Sequence, residues 1–430
     1  MAQLEKIPAS IHKMSLSSIP KSPKKIIQTL TRNSFECYLV GGCIRDNLMS
    51  IKPKDFDIAT NATPEQIKKL IPRSRIIGRR FKLVHIRNGR EITEVATFRS
   101  DNIKNISTKE GMVLRDNYYG NSKEDALRRD LTINSLFYDI KTQDILDFTG
   151  GYRDCINKKI RIIGDIETRF KEDPIRMLRA VRFSSKLSIN LDHTLENKIL
   201  EMGKLLLNIP PARRLDEINK LFLYGKAYET FKLLNKLGLL RYLFPSLTLM
   251  LNKRDKNMYY TNFIKTSLKE TDNRIKINKP VMLPFFLSCM LWPSLAEKIG
   301  EITSSKTKLS ELRLNALRII YAESEFCSIP KRMQSSIIEI WEFQIRLLKT
   351  NTPKANDLIR HKRFRAGYDF LINREKAGLY LNDLGYWWTN FQRINPKQRQ
   401  KMISISKKFG TKKITKTPKG QQIDIELKLE

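Results

Sequence analysis

Acidic residues are scarce in this chain of 430 residues: 45 Asp and Glu stand against 80 Lys and Arg, a formal net charge of +35. An excess of that size repels itself unless it meets a polyanion, and nucleic acid is the commonest one. A generally Lys-rich composition is the competing explanation. Histidine is rarer still, with four residues and none paired at ligand spacing, which argues against a zinc mechanism. The five cysteines (Cys37, Cys43, Cys155, Cys289, Cys327) are odd in number and scattered, with no Cys-x-x-Cys pair. That excludes a disulfide framework and a structural zinc site. Long apolar runs are missing too: the longest, Val281 to Trp292, is interrupted by Pro284 and is too short to span a bilayer. The first residues lack the apolar centre of a secretory signal and contain no Arg before Arg32. A reduced, cytoplasmic compartment is the expectation.

What is present divides into three textures. Residues 1–28 are rich in Lys, Ser and Pro and read as a basic, extended N-terminal arm. From 29 to about 160 short apolar runs alternate with turn residues. Phe35 to Val40 reads as a buried strand that stops at Gly41-Gly42, and Asp55 to Ala59 as a second. Thr63-Pro64-Glu65-Gln66 opens a helix, with Thr at the cap, Pro in the first turn and Gln three residues on. Arg75 to Gly78, Phe81 to Ile86, Ile92 to Phe98, Asp144 to Phe148 and Lys159 to Ile163 read as further strands. Ser100 to Asp125 is polar, contains Gly111 and Gly120, and reads as a loop near the site. From about Asp165 the apolar residues recur every three or four, the mark of helices. Residues 401–430, with Lys407-Lys408 and Lys412-Lys413, read as a solvated basic tail. The fold class is therefore α+β: a mixed head, then an all-helical remainder.

Asp55 and Asp57 stand two apart in an expected strand, so both side chains leave one face. Paired carboxylates repel each other and are best satisfied by a shared hard cation such as Mg²⁺. Most Asp-x-Asp pairs are surface loop residues, so the context carries the weight. Gly41 and Gly42 lie upstream at a strand end, where backbone N–H groups can approach a triphosphate, and Arg45 follows for a phosphate oxygen. Two-metal phosphoryl transfer calls for a third carboxylate. Glu94, in a strand, and Asp130, after Arg128 and Arg129, both qualify, with a slight preference for Asp130. Arg128 and Arg129 suit a triphosphate or a sugar.

A second constellation is Glu172-Asp173-Pro174-Ile175-Arg176. Asp173 and Pro174 make an ordinary helix start. Asp173 and Arg176 also share one side of that turn, an acceptor beside a donor. Such a pair matches the base edge of adenine or cytosine, and rejects guanine and uracil, without separating A from C. Arg179 and Arg182 continue the row toward RNA or phosphate, or simply toward solvent. Arg213 and Glu217, four apart after Pro210-Pro211, read either as a surface ion pair or as a brace for the Asp173/Arg176 turn.

Leu39-Val-Gly-Gly-Cys-Ile-Arg-Asp46, Asp55-Phe-Asp57, Arg128-Arg-Asp130 and Glu172-Asp-Pro-Ile-Arg-Met-Leu-Arg-Ala-Val-Arg-Phe183, in that order, resemble the motifs of the class II tRNA nucleotidyltransferase/bacterial poly(A) polymerase family. Gly78-Arg-Arg-Phe-Lys-Leu-Val-His85 and Ile209-Pro-Pro-Ala-Arg-Arg-Leu-Asp-Glu217 resemble its poly(A) polymerase branch rather than its CCA-adding branch. Leu291-Trp-Pro293, Arg363-Phe-Arg-Ala-Gly367 and Trp387-Trp388 carry the resemblance through most of the chain. Arg214 and Asp216 depart from the pattern, where apolar and acidic residues are expected.

The resemblance implies a polymerase-beta-like nucleotidyltransferase head over 29–160. A helical neck over 161–235, a helical RNA-binding body over 236–400 and a tail would follow. It implies Asp55 and Asp57 as metal ligands, Asp130 as a further catalytic acid, Arg128 and Arg129 on the nucleotide, and Asp173 with Arg176 on the base. The expected cofactor is Mg²⁺ in a two-metal site, and the expected partners are ATP and RNA 3′ ends, with RNA-decay factors on the basic tail. The expected activity is template-independent addition of AMP to RNA. A CCA-adding tRNA nucleotidyltransferase and a non-catalytic RNA-binding protein on the same fold are the alternatives.

Overall fold

The computed structural model describes residues 3–78, 82–89, 91–100, 108–109, 112–113, 119–253, 258–304 and 307–409. Two compact units divide at Leu205/Leu206, inside the segment read as a neck.

The strands are β1 Glu5–Ile7, β2 Cys37–Val40, β3 Asp57–Thr60, β4 Ser74–Ile77, β5 Leu83–Asn88 and β6 Glu91–Thr97. They continue as β7 Thr108–Lys109, β8 Met112–Val113, β9 Phe137–Tyr138, β10 Ile145–Asp147, β11 Lys159–Ile160 and β12 Asn190–Leu191. Eight of them form one sheet in the order β1-β10-β9-β2-β3-β6-β5-β4. Every neighbouring pair is antiparallel except β3 and β6, which run parallel. Val40, Ala59, Phe98, Phe137, Leu146 and Phe148 fill one apolar cluster, with Phe137 edge-on to both Phe98 and Phe148. The helix Pro64–Leu70 starts on the expected capping box between Thr63 and Gln66.

Residues 3–32 correct the reading of an extended arm. β1 is antiparallel to β10 and forms one edge of the sheet, a three-residue strand that pairs with the outer side of β10. His12 Nε2 lies 2.9 Å from the Gln143 carbonyl. The helix Lys21–Arg32 buries Ile26, Ile27 and Leu30. The Lys residues that suggested an extended arm lie on its outer face, and the buried residues fall at helical spacing between them. Two smaller corrections belong here. The helix Ser122–Arg128, capped by Asn121 and Glu124, occupies the end of the segment read as a loop. Strand β12 pairs in parallel with β11, beyond the point where strands were expected to stop.

The second unit is helical throughout its described residues. All four tryptophans, Trp292, Trp341, Trp387 and Trp388, are fully buried. Each indole N–H has an acceptor: Glu301, the Ser288 carbonyl, Ser406 and the Leu347 carbonyl. A buried ring of that size brings a large apolar contribution, but only when its polar edge is satisfied. Residues 401–409, read as the start of a solvated tail, form the second half of a helix Pro396–Phe409. Met402 and Ile403 pack into the core beside Trp387 and Trp388, and Ser406 accepts the Trp387 N–H. Residues 410–430 of the expected tail and Arg79, Arg80 and Phe81 lie outside the described residues. Among the described residues, no helix is long and apolar enough to cross a membrane.

Candidate active site

Strand β2 ends at Val40, which pairs with Asp57 across the antiparallel ladder. Gly41 follows at φ +72° and ψ −119°, a conformation that only glycine adopts without strain. Its N–H donates to the Leu136 carbonyl at 3.0 Å, so it is spent on the fold. A Cβ at this position would meet Arg129 Nη1 at 3.2 Å. The glycine therefore makes room for Arg129 as well as for the turn. Gly42 opens the helix Gly42–Leu48. The Cys43 thiol in its first turn is pushed up to about 12, by burial first and then by the Asp57 charge. That helix start and Asp57 thus face each other.

Asp57 begins β3, and Asp55 lies just before the strand rather than in it. The parallel register sets Ile58 beside Val95, so one step back Asp57 and Glu94 are neighbours on one face. Burial, then the charges of Glu94 and Asp55, push the Asp57 carboxyl up to about 6, and Arg129 opposes them. Glu94 also lies 3.1 Å from His85 Nε2 on β5. Among the described residues, no three His, Cys, Asp or Glu side chains converge tightly enough to enclose a metal. Mg²⁺ does not require such a cage, because it is commonly held by one or two carboxylates together with substrate phosphates and water. Hard oxygen donors crowded enough to raise a carboxyl fit that ion.

Asp130 lies elsewhere. Its Oδ2 accepts from Arg179 Nε. Burial alone would raise the Asp130 carboxyl, but the Arg179 guanidinium and the N–H donors of Leu131 and Asp130 outweigh it and hold it below its ordinary value. Asp130 and Arg179, expected to serve catalysis and the nucleotide separately, are thus a mutually neutralising pair. The acids whose charges act on Asp57 are Glu94 and Asp55.

Arg45 is held inside the fold. It is 4% exposed, and it donates through Nε and Nη2 to Asp46 Oδ1 at 2.9 and 2.6 Å. Its Nη1 donates to Asn134 Oδ1, and the guanidinium lies over the Phe183 ring at 5.0 Å. Nε, Nη1 and Nη2 each donate inside the fold, which fixes the guanidinium beside the Gly41-Gly42 turn. Arg129 keeps a partly open position, with Nε and Nη2 on Asp125 Oδ2 and Nη1 on the Asn134 carbonyl. Asn134 therefore ties both arginines to one point. Neither Asn134 nor Asp125 belongs to a recognisable motif, and only the fold brings Asn134 to Arg45, 89 residues away.

The turn before the helix Ile175–Leu187 keeps its expected form: Asp173 Oδ1 accepts from the Ile175 N–H at 3.2 Å. Arg176 is mostly buried, with Nη1 3.4 Å from Glu172 Oε2. Burial and the neighbouring Arg169 cation draw its guanidinium below its ordinary value, and Glu172, Asp173 and Asp130 oppose them. Arg182 lies over the Phe183 ring at 5.1 Å. Arg213 and Glu217 belong to the second unit, in the helix Pro211–Phe222, where the Glu217 carboxylate accepts from Lys220 at 2.6 Å.

This sheet, with acids at the start of β3 and along β6 and helices after it, defines a polymerase-beta-like nucleotidyltransferase. The models of the poly A polymerase head domain, of the "Probable RNA and SrmB- binding site of polymerase A" and of the polymerase A arginine-rich C-terminus match residues 37–161, 189–251 and 307–421. Poly(A) polymerase I of Haemophilus influenzae is 38% identical over 417 residues, which cover 94% of this chain and 92% of the relative. A CCA-adding enzyme of Lactobacillus helveticus is also 38% identical, but over only 48% of this chain. The fold is shared with the Thermotoga maritima CCA-adding enzyme complexed with tRNA, at a TM-score of 0.60 and 16% identity over 98% of this chain and 97% of that one. The chain belongs to the poly(A) polymerase I family, the polynucleotide adenylyltransferases.

Proposed function

We propose that this enzyme adds AMP from ATP to RNA 3′ ends without a template, releasing pyrophosphate, at a site that uses two divalent cations. The observation that carries the reading is the crowding of Asp55 and Glu94 around Asp57 beside the Gly41-Gly42 turn. Asp55 and Asp57 hold the cations, with Glu94 as the third carboxylate. Bound Mg²⁺ would make the RNA 3′-hydroxyl easier to deprotonate and would offset triphosphate charge. Arg129 orients the nucleotide from its seat on Asp125, and Arg128 assists it. Asp173 accepts from the exocyclic amino group of the base while Arg176 donates to the ring nitrogen. A base edge read in this way admits A and C; similarity to poly(A) polymerases along nearly the whole chain favours A. The same reading places the enzyme in the cytoplasm, with RNA-decay factors as partners of the basic C-terminal residues.

The test supplies purified protein with Mg²⁺, one nucleoside triphosphate at a time, and either a generic RNA or a tRNA lacking its terminal residues. Long A tails on generic RNA are expected. Addition confined to C, C and A on tRNA would replace this reading with the CCA-adding one, and RNA binding without any incorporation would leave only a binding protein.

The third carboxylate has its own test. Glu94→Gln is expected to raise the Mg²⁺ concentration for half-maximal incorporation by about 10-fold, the usual scale for a group supporting a metal. Asp130→Asn should leave that concentration unchanged and cost about 1–2 kcal/mol of stability by unpairing Arg179, a figure discounted for the partial exposure of Arg179. A Mg²⁺ titration that moves for Asp130→Asn and not for Glu94→Gln reverses the assignment.

A further inference from the structure

The outer face of the helix Lys21–Arg32 is built against its own interest. Lys21, Lys24, Lys25 and Arg32, with Gln28 and Thr29 between them, line one shallow depression of about 440 Å³. Three of these cations crowd the first turns, where the helix dipole is positive, and no acidic residue occupies the first turn. Lys21 also sits three and four residues from Lys24 and Lys25, spacings at which like charges repel. Among the described residues, none of the four cations has a carboxylate partner within ion-pair distance, and no carboxylate lines the depression. A local arrangement that costs stability without compensation inside the fold points to a ligand that supplies the missing charge.

The platform is also rigid. Ser22, Pro23, Ile26, Ile27 and Leu30 are buried, and the helix packs on β2 and β3, the strands that end at Gly41 and begin at Asp57. The cationic stripe is thereby fixed to the catalytic strands within one unit.

We infer that this face binds the phosphate backbone of the RNA being extended, so that the nucleotidyltransferase head grips RNA itself. The inference rests on the reading that RNA is the substrate. A membrane surface is the other polyanion such a stripe could meet. Every apolar side chain of the helix is buried, which leaves nothing to insert among lipids. The mixture of Lys and Arg with hydrogen-bonding Gln28 and Thr29 suits phosphate and ribose oxygens without base readout.

The test compares the full chain with the fourfold variant Lys21→Gln, Lys24→Gln, Lys25→Gln, Arg32→Gln. Binding of a fluorescein-labelled 30-nucleotide single-stranded RNA is followed by anisotropy across a KCl series. The variant is expected to bind at least about 10-fold more weakly at 100 mM salt. Its log Kd against log salt should be shallower by about 0.7 for each phosphate that is no longer neutralised, a total of about 2 to 3. Extension of a five-nucleotide primer should stay within about twofold, with a thermal midpoint equal to or above that of the parent, because like-charge repulsion is relieved. Unchanged affinity and slope overturn the inference. So does loss of sedimentation with phosphatidylglycerol vesicles while RNA affinity is unchanged, which would assign the face to lipid. Because the binding arm contains no nucleoside triphosphate, a parent protein that binds RNA but extends no primer refutes the polymerase reading and leaves this test intact.

Discussion

Asp57→Asn is expected to abolish nucleotide incorporation, with a loss of at least about 1,000-fold, and at the same time to stabilise the metal-free protein at pH 8. The two effects have one origin. Burial and the charges of Glu94 and Asp55 push the Asp57 carboxyl up to about 6, so the fold favours its neutral form. A carboxyl raised in the folded state leaves stability intact at acid pH and loses it as pH rises through about 6. The amide is neutral at every pH. The variant should therefore gain about 2 kcal/mol at pH 8 and nothing near pH 4, since a shift of about two pH units corresponds to roughly 3 kcal/mol before screening. Mg²⁺ should narrow the difference at pH 8 by stabilising the parent alone. Thermal unfolding at both pH values, with and without Mg²⁺, measures this directly. A variant that keeps its activity removes Asp57 from the metal site, and one with no gain at pH 8 denies the crowding of the three acids.

Glu323→Gln should produce the largest gain in stability. Glu323 is fully buried in the second unit, and neither carboxyl oxygen has a hydrogen-bond partner. Burial raises its carboxyl to about 7, and the nearby Ser246 offsets only part of that. The sign is the same as for Asp57: the cost is absent well below pH 5 and is fully present above pH 7. At pH 8 the uncharged amide should gain about 3 kcal/mol, from a shift of roughly two and a half units at about 1.4 kcal/mol each. Near pH 3, below the ordinary value of the carboxyl, the two proteins should unfold together. Denaturant unfolding at both pH values decides it, and equal midpoints at pH 8 would mean that water or a local rearrangement solvates the carboxylate.

Signals that act over a few residues were legible in the sequence. The capping box Thr63 to Gln66 produced its helix, and the strand before Gly41 ended where the glycines said it should. Two boxes of the same kind were present but not recognised. Asn121 with Glu124 starts a helix in the segment read as a loop. Asn395 and Gln398 exchange the same pair of bonds at the start of the helix read partly as tail. There, and in residues 3–32, composition overrode pattern: Lys and Arg on the outer face hid the helical spacing of Ile26, Ile27 and Leu30.

The acids separate what each level decides. Local sequence determined the Gly41-Gly42 turn, the nearness of Asp55 to Asp57 and the helix start at Asp173, because a two-residue separation, glycine's freedom at positive φ and end-capping bonds operate within a few residues. That Asn134 as well as Asp46 engages Arg45 was decided only by tertiary structure. So were the neighbours of Glu94 and Asp130: the parallel β3–β6 register sets Glu94 beside Asp57, while packing of the helix Ile175–Leu187 gives Asp130 to Arg179. The reason is physical. A carboxylate's role is set by the charges within a few ångströms of it, and in this fold those charges come from residues tens of positions away in the chain.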